Sequence, residues 1–496
     1  MELNKKTVSQ WNNQFNSNNN EKILQNIISI NSITNLYTNR DAHQKYQHIF
    51  SNKITPAAKV TNQKSSGRCW LFAGLNVIRR QMMEKYKLKD FEFSQNYLFF
   101  WDKLERFNYN LECIIETKNE NLNSQLVQHL LTDPTCDGGQ WDMVVNLIEK
   151  YGLVPKCVYN ESYHSSNSDE LNCILTKMFR NNAKILRESN NPRELKNIMI
   201  KEAYIILCKF LGTPPEIFDW IYEPYKLTDS TKDSKDSKDS KDSKDSKDLK
   251  DSKDSKDSKD SKDSKDSKDS KDSNIPPVVI KNLTPLSFYK EYVDFKCDDY
   301  VCIINDPRKE HPYNKMYTVK YLGNVVEGHK VRYLNLDINK LKQLVLNNIK
   351  NNTPVWFGCD VGKSLHNKEC AMDFELTQHL QLLNIELALT KEDRLNFKES
   401  LMTHAMVITG ANIQKNISSI TNTENETVDI WQIENSWSDK GPLQGYYTMT
   451  DKWFEEYVYE IVVHKKYLTP EQQELYKTGI ENYTVLDTWD PMGSLA

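Results

Sequence analysis

The 496-residue chain lacks several features that would define its class at once. No stretch of about 18 uncharged apolar residues occurs, and the amino terminus, Met1-Glu-Leu-Asn-Lys-Lys, has no apolar signal-peptide core. The ten cysteines include no CxxC pair and no dense cluster, which argues against a disulfide framework or a zinc site. We therefore expect a cytoplasmic protein with reduced thiols, no membrane segment, no metal and no other cofactor.

The chain also lacks an excess of charge of either sign. Its 65 basic and 69 acidic residues leave a formal net charge of -4, so no global field draws it to nucleic acid or to anionic membranes. A local basic surface remains compatible with this balance. Hydrophobic residues make up 38% of the chain, which is enough apolar area for a large core and excludes disorder throughout.

A low-complexity tract divides the sequence. Residues 229–273 repeat Lys-Asp-Ser, with Leu249 as the only apolar residue, and such a composition cannot build a core. We predict a disordered surface insertion there. It would separate an N-terminal helical lobe (residues 1–228), which carries the nucleophile helix, from a β-rich lobe (residues 274–496) with helical insertions. A second polar stretch, residues 412–427, is predicted to be a hairpin loop.

Helical patterns dominate the first half, and strand patterns dominate the last third. After Cys69, apolar residues recur at helical spacing at Leu71, Leu75, Ile78 and Met82. Runs rich in β-branched and aromatic residues begin at Ala405, Val428, Gly445 and Tyr457. A helical half followed by an antiparallel sheet indicates an α+β fold.

Cys69 follows a glycine turn and starts the predicted helix. Unpaired backbone N–H groups and the helix dipole favour a thiolate at this place, which predicts a lowered pKa for Cys69. Gln63 can bring its side-chain amide alongside the Cys69 backbone N–H, so that both donate to a developing oxyanion. Cys69 alone fits a buried structural cysteine as well; the segment from Val60 to Trp70 as a whole favours a nucleophile.

A cysteine nucleophile needs a partner that protonates the leaving amine. His404, at the start of a predicted strand, is the best candidate among the ten histidines. Asn435, at the end of another strand, can accept from the His404 ring and fix its tautomer. Trp437 could shield that bond. Each residue alone also fits a structural role, but the order Gln, Cys, His, Asn favours a catalytic set.

These residues resemble the papain-like cysteine peptidases, and within them the branch of bleomycin hydrolase and its bacterial aminopeptidase relatives. The resemblance covers nearly the whole folded chain and is carried by segments starting at Gln63, Asp137, Val355, Glu399, Glu434 and Trp489. It implies a papain-like two-lobe fold, with large insertions between Cys69 and His404. Secreted relatives place a disulfide cysteine where this chain has Ser66, so Cys136 is expected to have no partner there.

The resemblance also implies an activity: a cytosolic aminopeptidase that hydrolyses N-terminal residues of peptides and related amides through a Cys69 thioester. Trp70 and Trp437 would support the catalytic residues. The Gly138-Gly139 turn would let a substrate backbone pair along the cleft. The carboxyl terminus, Ala496, would meet the substrate's α-amino group. A homohexamer is implied as well.

Other functions stay open at this stage. An additional nucleic-acid-binding role is possible in this branch, although the net charge gives it no support. An endopeptidase would use the same residues. A transglutaminase-like acyltransferase normally has Asp where this chain has Asn435, and an inactive scaffold is disfavoured by the intact catalytic set.

Overall fold

The computed structural model describes residues 2–36, 39–45, 47–225, 276–376, 379–417 and 424–496. Its helices are α1 (Lys5–Ser17), α2 (Asn19–Ile28), α3 (Ile33–Leu36), α4 (Arg40–Lys45), α5 (Cys69–Tyr86), α6 (Gln95–Glu116), α7 (Gln125–Thr132), α8 (Trp141–Tyr151), α9 (Tyr163–Ser166), α10 (Asp169–Glu188), α11 (Pro192–Leu211), α12 (Pro285–Tyr292), α13 (Ile338–Lys350), α14 (His379–Leu382), α15 (Lys391–Asn396), α16 (Asp451–Tyr457) and α17 (Pro470–Lys477). Short 3-10 helices span Cys297–Asp299, Lys465–Tyr467, Ile480–Asn482 and Pro491–Gly493. The Lys-Asp-Ser tract, residues 229–273, lies outside the described residues.

The strands are β1 (Asn52–Lys53), β2 (Phe218–Tyr222), β3 (Val278–Leu283), β4 (Tyr300–Ile304), β5 (Lys315–Val319), β6 (Tyr333–Asn335), β7 (Val355–Cys359), β8 (Leu365–His366), β9 (Ala371–Met372), β10 (His404–Ile417), β11 (Glu424–Glu434), β12 (Tyr446–Thr450), β13 (Val458–His464) and β14 (Thr484–Leu486). The large sheet has the order β14-β5-β6-β4-β13-β7-β10-β11-β12-β9-β8, with β1 paired to β10. Helices and sheet together confirm the predicted α+β class.

The sheet is mixed rather than wholly antiparallel. The central strands β7, β10, β11 and β13 form antiparallel pairs among themselves and with β12 and β4. His404 begins β10, and Asn435 follows β11. Three outlying pairs are parallel: β4 with β6, β9 with β12, and β5 with β14. Strand direction there depends on crossovers between distant segments, which local alternation of side chains does not encode.

Helix α5 runs against β10, and its side chains are buried along almost its whole length. This burial explains why its apolar face is so broad. The helix ends at Lys87, which adopts a left-handed conformation with φ 53° and returns its N–H to the last turn. One apolar core lies between α5, α6, α8 and one face of the sheet, and a second core lies on the opposite face beneath α13 and α16.

The predicted hairpin is confirmed, but its strands are longer than expected. β10 and β11 pair out to Ile417 and Glu424, so most of residues 412–427 are strand. Residues 418–423 lie outside the described part. On either side of the Lys-Asp-Ser tract, β2 and β3 pair with each other, and α12 after β3 packs against α8. Residues 278–292 therefore pack with the helical lobe.

Among the described residues, no helix combines the length and apolar character needed to cross a membrane.

Candidate active site

The fold brings Cys69 and the start of β10 together. Cys69 is the first residue of α5 and is 2% exposed, and His404 is the first residue of β10 and is 4% exposed. The backbone N–H of Ala405, which follows His404, interacts with the Cys69 sulfur and acts to lower its pKa. The first position of a helix also leaves its own N–H without an intrahelical acceptor. The Cys69 N–H, like that of Ala405, acts to lower the pKa of the Cys69 thiol.

His404 is oriented by Asn435, which follows the end of β11. Asn435 Oδ1 lies 2.9 Å from His404 Nε2. Because an amide oxygen only accepts, this bond selects the tautomer with hydrogen on Nε2 and leaves the lone pair on Nδ1. The Trp437 ring covers the imidazole, with ring centroids 4.9 Å apart and planes at 31°. Asn435 and Trp437 thus both contact the His404 ring, and their orienting and shielding roles stay predictions.

Gln63 is held in place through Ser436. The Ser436 hydroxyl donates to Gln63 Oε1 at 2.5 Å, and the Gln63 backbone N–H donates to the Ser436 carbonyl at 2.8 Å. The Gln63 amide uses one of its two N–H groups to bond the Ser66 carbonyl at 2.6 Å. The second N–H remains available to a ligand oxygen. Sequence reasoning did not find Ser436, although it lies within the Glu434–Trp437 segment.

The expected lowering of the Cys69 pKa does not hold in this closed arrangement. Burial raises the pKa of the Cys69 thiol to about 11, outweighing the backbone N–H groups that favour the thiolate. Burial likewise lowers the pKa of His404 to about 4, against the opposing effect of Asn435. Both shifts favour the neutral forms, a thiol at Cys69 and an uncharged imidazole at His404. Burial of Cys69 and His404 away from water decides the direction of both pKa shifts, and a sequence pattern does not reveal that burial.

The carboxyl terminus lies across the Gly138-Gly139 segment. The Gly139 N–H donates to an Ala496 oxygen at 3.0 Å, and the Ala496 N–H returns to the Gly139 carbonyl at 3.3 Å. A Cβ on Gly138 would lie 2.8 Å from that Ala496 oxygen, and one on Gly139 would lie 2.5 Å from the Trp70 ring. Glycine is therefore required at both positions by space. Ala496 itself is 4% exposed.

The terminal segment is anchored at several further points. Asp490 pairs with Arg308 at 2.8 Å, and the Gln140 amide donates to the Ser494 carbonyl at 2.5 Å. The Ser494 hydroxyl donates to the Met402 carbonyl at 2.7 Å. Trp70 Nε1–H in turn donates to the Asp137 carbonyl at 2.6 Å, next to the Gly138-Gly139 segment. The tail is thus held by contacts with Gln140, Arg308 and Met402, residues far apart in the sequence.

A family model described as the peptidase C1-like family matches residues 2–241 and 268–493. The chain belongs to this family. Aminopeptidase C of Listeria innocua is 39% identical over 96% of this chain and 94% of its own length. Bleomycin hydrolase of Mus musculus is 38% identical over 100% and 99%. The crystal structure of PepW from Lactobacillus rhamnosis superposes with a TM-score of 0.84 at 37% identity, covering 100% of this chain and 99% of that one.

Membership in the peptidase C1-like family makes this chain a cysteine peptidase with the papain-like fold. The names of its relatives support aminopeptidase activity in particular. Its ten cysteines are all free thiols, including Cys136, which the sequence left without a partner. The Cys136 sulfur instead accepts from Arg106 at 3.6 Å.

The peptidase site also contains a buried carboxylate and a buried ion cluster that sequence reasoning missed. The Asp137 carboxylate accepts the Gly67 N–H, two residues before Cys69. Glu434, just before Asn435, is bound by Arg79 and Arg80 of α5. Both acidic residues belong to segments that carry the family resemblance. Their side-chain partners, however, are 31 or more positions away in the chain, so the sequence pattern alone did not connect them.

Gln63→Ala should lower kcat by about 100- to 1,000-fold, because a preorganised oxyanion donor is lost. The thermal midpoint should change little by comparison. Ser436→Ala serves as the matched control, because it removes only the hydroxyl that donates to Gln63 Oε1 and orients the amide. For this variant we expect kcat to fall about 2- to 10-fold. Steady-state kinetics on an aminoacyl amide would check both values; a kcat within twofold of wild type for Gln63→Ala would remove Gln63 from the oxyanion site.

Proposed function

We propose that this chain is a cysteine aminopeptidase that removes N-terminal residues from peptides and related amides. Cys69 is the nucleophile, His404 its acid and base, Asn435 the residue that orients the imidazole, and Gln63 an oxyanion donor. The position of Ala496 on Gly139 carries the aminopeptidase part of the proposal. No other activity has an observation of comparable weight in its favour.

The reaction is acyl transfer to sulfur followed by hydrolysis. His404 takes the thiol proton, and the sulfur attacks the scissile carbonyl carbon to form a tetrahedral intermediate. The Gln63 amide and the Cys69 N–H stabilise its oxyanion. His404 then protonates the departing amine as the C–N bond breaks, leaving a thioester. Water deprotonated by the same imidazole attacks the thioester carbonyl, releases the free carboxylic acid and restores the thiol.

The tail supports cleavage at the amino terminus of a substrate. An extended substrate backbone could use the Gly139 N–H and C=O as a strand uses a sheet edge, but Ala496 already occupies both groups. A substrate chain therefore meets the end of the enzyme's own chain on the amino side of the cut bond. The terminal carboxylate of Ala496 complements a free α-ammonium group by charge. An amino-blocked peptide lacks that charge and adds bulk where the tail lies.

A panel of aminoacyl-fluorophore amides and amino-blocked peptides tests the proposal directly. The intact enzyme should hydrolyse the free-amino substrates and not the blocked ones, and iodoacetamide should abolish the activity. Cys157 and Cys173 are exposed and will be alkylated too. The modified peptide should therefore be mapped, with loss of activity following Cys69 only. Hydrolysis of blocked peptides alone by the intact enzyme would reject the aminopeptidase assignment.

Deleting Leu495 and Ala496 should convert the exopeptidase toward an endopeptidase. We expect kcat/KM for aminoacyl amides to fall about 10- to 100-fold, because the charge-assisted contact with the α-ammonium group is lost. Cleavage of amino-blocked peptides at internal bonds should appear, since Gly139 becomes free to pair with substrate. Mass spectrometry of the products identifies the cut bonds.

Ala496→Gly is the matched control for the deletion. It keeps the chain length, the terminal carboxylate and both backbone bonds to Gly139, so its selectivity should equal that of the wild type. A deletion variant that retains full preference for free amino groups would show that the tail does not limit substrate position.

We further propose a cytoplasmic homohexamer, by similarity to the family branch named above. The free thiols support a reducing compartment. Light scattering of the purified full chain should give six times the 58.1 kDa chain mass, and a monomeric mass would reject the assembly. The net charge of -4 gives no support to an additional nucleic-acid-binding role.

A further inference from the structure

Asp137 touches both backbone segments that the proposed reaction uses. Its carboxylate Oδ2 accepts the Gly67 N–H at 2.9 Å, in the turn that leads into Cys69. The chain then continues from Asp137 directly into Gly138 and Gly139, the edge that pairs with the tail. Asp137 is 7% exposed. A single buried side chain therefore connects the nucleophile turn to the substrate-facing edge.

Lys103 of α6 neutralises this carboxylate. Lys103 Nζ lies 2.6 Å from Asp137 Oδ1, and its side chain is fully buried. The same ammonium donates to the carbonyls of Thr135 at 2.6 Å and Cys136 at 3.0 Å. Buried charges of this kind are tolerated only when paired and hydrogen-bonded. Lys103 thus holds the three residues before Gly138 as a unit.

Two donors from the start of α10 complete the shell around the carboxylate. The Ser168 hydroxyl bonds Oδ2, and the Asn172 amide donates to Oδ1 at 2.8 Å. Burial opposes ionisation of Asp137, but the Lys103 ammonium and these donors outweigh it and hold the carboxyl pKa below its ordinary value. Four donors converge on the two oxygens of Asp137. An ionised carboxylate can accept all four, whereas a protonated carboxyl group would place its own O–H donor among them.

The position of Gly67 affects both proposed oxyanion donors, the Gln63 amide and the Cys69 N–H. Ser66, which precedes Gly67, accepts the Gln63 amide at 2.6 Å through its carbonyl. Cys69, whose N–H is the other donor, lies just beyond Gly67 in the chain. Movement of the Gly67 N–H therefore displaces both donors relative to the Gly138-Gly139 edge. A misplacement of about 1 Å at such a site costs on the order of 100-fold in rate.

We infer that Asp137, paired with Lys103, is a positioning residue for the peptidase reaction: it sets the oxyanion donors of the nucleophile turn relative to the Gly138-Gly139 edge. The inference rests on the proposed function. Asp137 acts through Gly67 and Gly139, since its carboxylate bonds Gly67, Lys103, Ser168 and Asn172 rather than Cys69 or His404.

Two charge-balanced double variants test the role. D137N/K103M keeps a side-chain oxygen that can accept the Gly67 N–H, whereas D137L/K103M removes the acceptor at the same net charge. We expect D137L/K103M to have about 100-fold lower kcat than D137N/K103M, measured where circular dichroism shows both folded. Alkylation of Cys69 by iodoacetamide forms no oxyanion. Its rate should therefore stay within about threefold between the two variants.

The control for general loss of a carboxylate is Glu112→Gln. Glu112 also lies on α6 and is bound by Lys196 at 2.6 Å and Arg193 at 2.7 Å, so this change should leave kcat unaltered. Should D137L/K103M fail to fold, D137A/K103M supplies the comparison: it also removes the acceptor at the same net charge, with kcat expected about 100-fold below that of D137N/K103M and alkylation within about threefold.

Equal kcat for the two double variants would overturn the inference, as would equal kcat for D137A/K103M and D137N/K103M in the fallback comparison. Parallel loss of alkylation and kcat would also overturn it, because that pattern indicates collapse of the cleft. The wild-type enzyme separates this failure from failure of the proposed function: a wild type without thiol-dependent aminopeptidase activity rejects both proposals. An active wild type with two equivalent double variants rejects the inference alone.

Discussion

Cys69→Ala should reduce kcat/KM for aminoacyl amides by about 10⁵-fold, with little change in thermal midpoint. The covalent route through the thioester is lost with the sulfur, while the oxyanion donors and the cleft remain. His404 keeps its bond to Asn435, so the fold around the site should be preserved. Steady-state kinetics on aminoacyl amides would measure the residual rate. A second purification step should first remove traces of contaminating peptidase.

Cys359→Ala is the matched control for the nucleophile. Cys359 is also buried, and it lies opposite His404 in the pairing of β7 with β10. It has the same thiol chemistry, but no role is assigned to it in the reaction. Activity should stay within about threefold, with a loss of roughly 1 kcal/mol in stability from the missing sulfur. Equal activity losses for Cys359→Ala and Cys69→Ala would argue against Cys69 as the specific nucleophile.

Glu434→Gln should destabilise the protein by about 3–5 kcal/mol, because it leaves two buried guanidinium groups without a counter-charge. Arg79 Nη2 lies 2.5 Å from Glu434 Oε1, and Arg80 bonds the other oxygen. The same arginines also donate to the carbonyls of Lys59 and Pro56. The cluster therefore ties α5 to the end of β11, next to Asn435. Urea unfolding followed by tryptophan fluorescence gives the shift.

A charge-free replacement of the cluster separates charge burial from packing. Arg79→Met, Arg80→Met and Glu434→Leu combined should recover most of the lost stability, since apolar groups of similar volume replace a buried ion cluster at little cost. Glu188→Gln, which breaks the exposed pair with Lys184, should cost about 0.5 kcal/mol or less. If Glu434→Gln lowered the free energy of unfolding as little as Glu188→Gln does, water would have to reach the ion cluster.

The proposed catalytic residues could be selected from the sequence because they carry local signals. Cys69 follows a glycine turn at a helix start, His404 opens a strand and Asn435 follows one. These placements are visible in residue order and periodicity. The α+β class followed from the same signals. The parallel pairings of β4, β9 and β14 did not, because they depend on contacts between segments far apart in the chain.

The ion chemistry around the site could not be predicted in the same way. In a sequence of balanced charge, these residues look like ordinary surface charges. They form one pair, Asp137 with Lys103, and one group of three, Glu434 with Arg79 and Arg80. Their partners are chosen by the packing of α5 and α6 against the sheet. The Cys69 pKa shows the same limit, since the helix start argues for a lower value and burial reverses it.

Residue types and their order were sufficient to predict the class of reaction and the family, and to propose Cys69 and His404 as nucleophile and base. These predictions depend on short segments whose residue types and spacing can be recognised in the sequence itself. The depth of burial, the direction of the Cys69 pKa shift, the pairing of Ala496 with Gly139 and the pairing of the buried charges were decided by the tertiary structure. Each depends on distance and on exclusion of water, and both arise only when remote parts of the chain pack together.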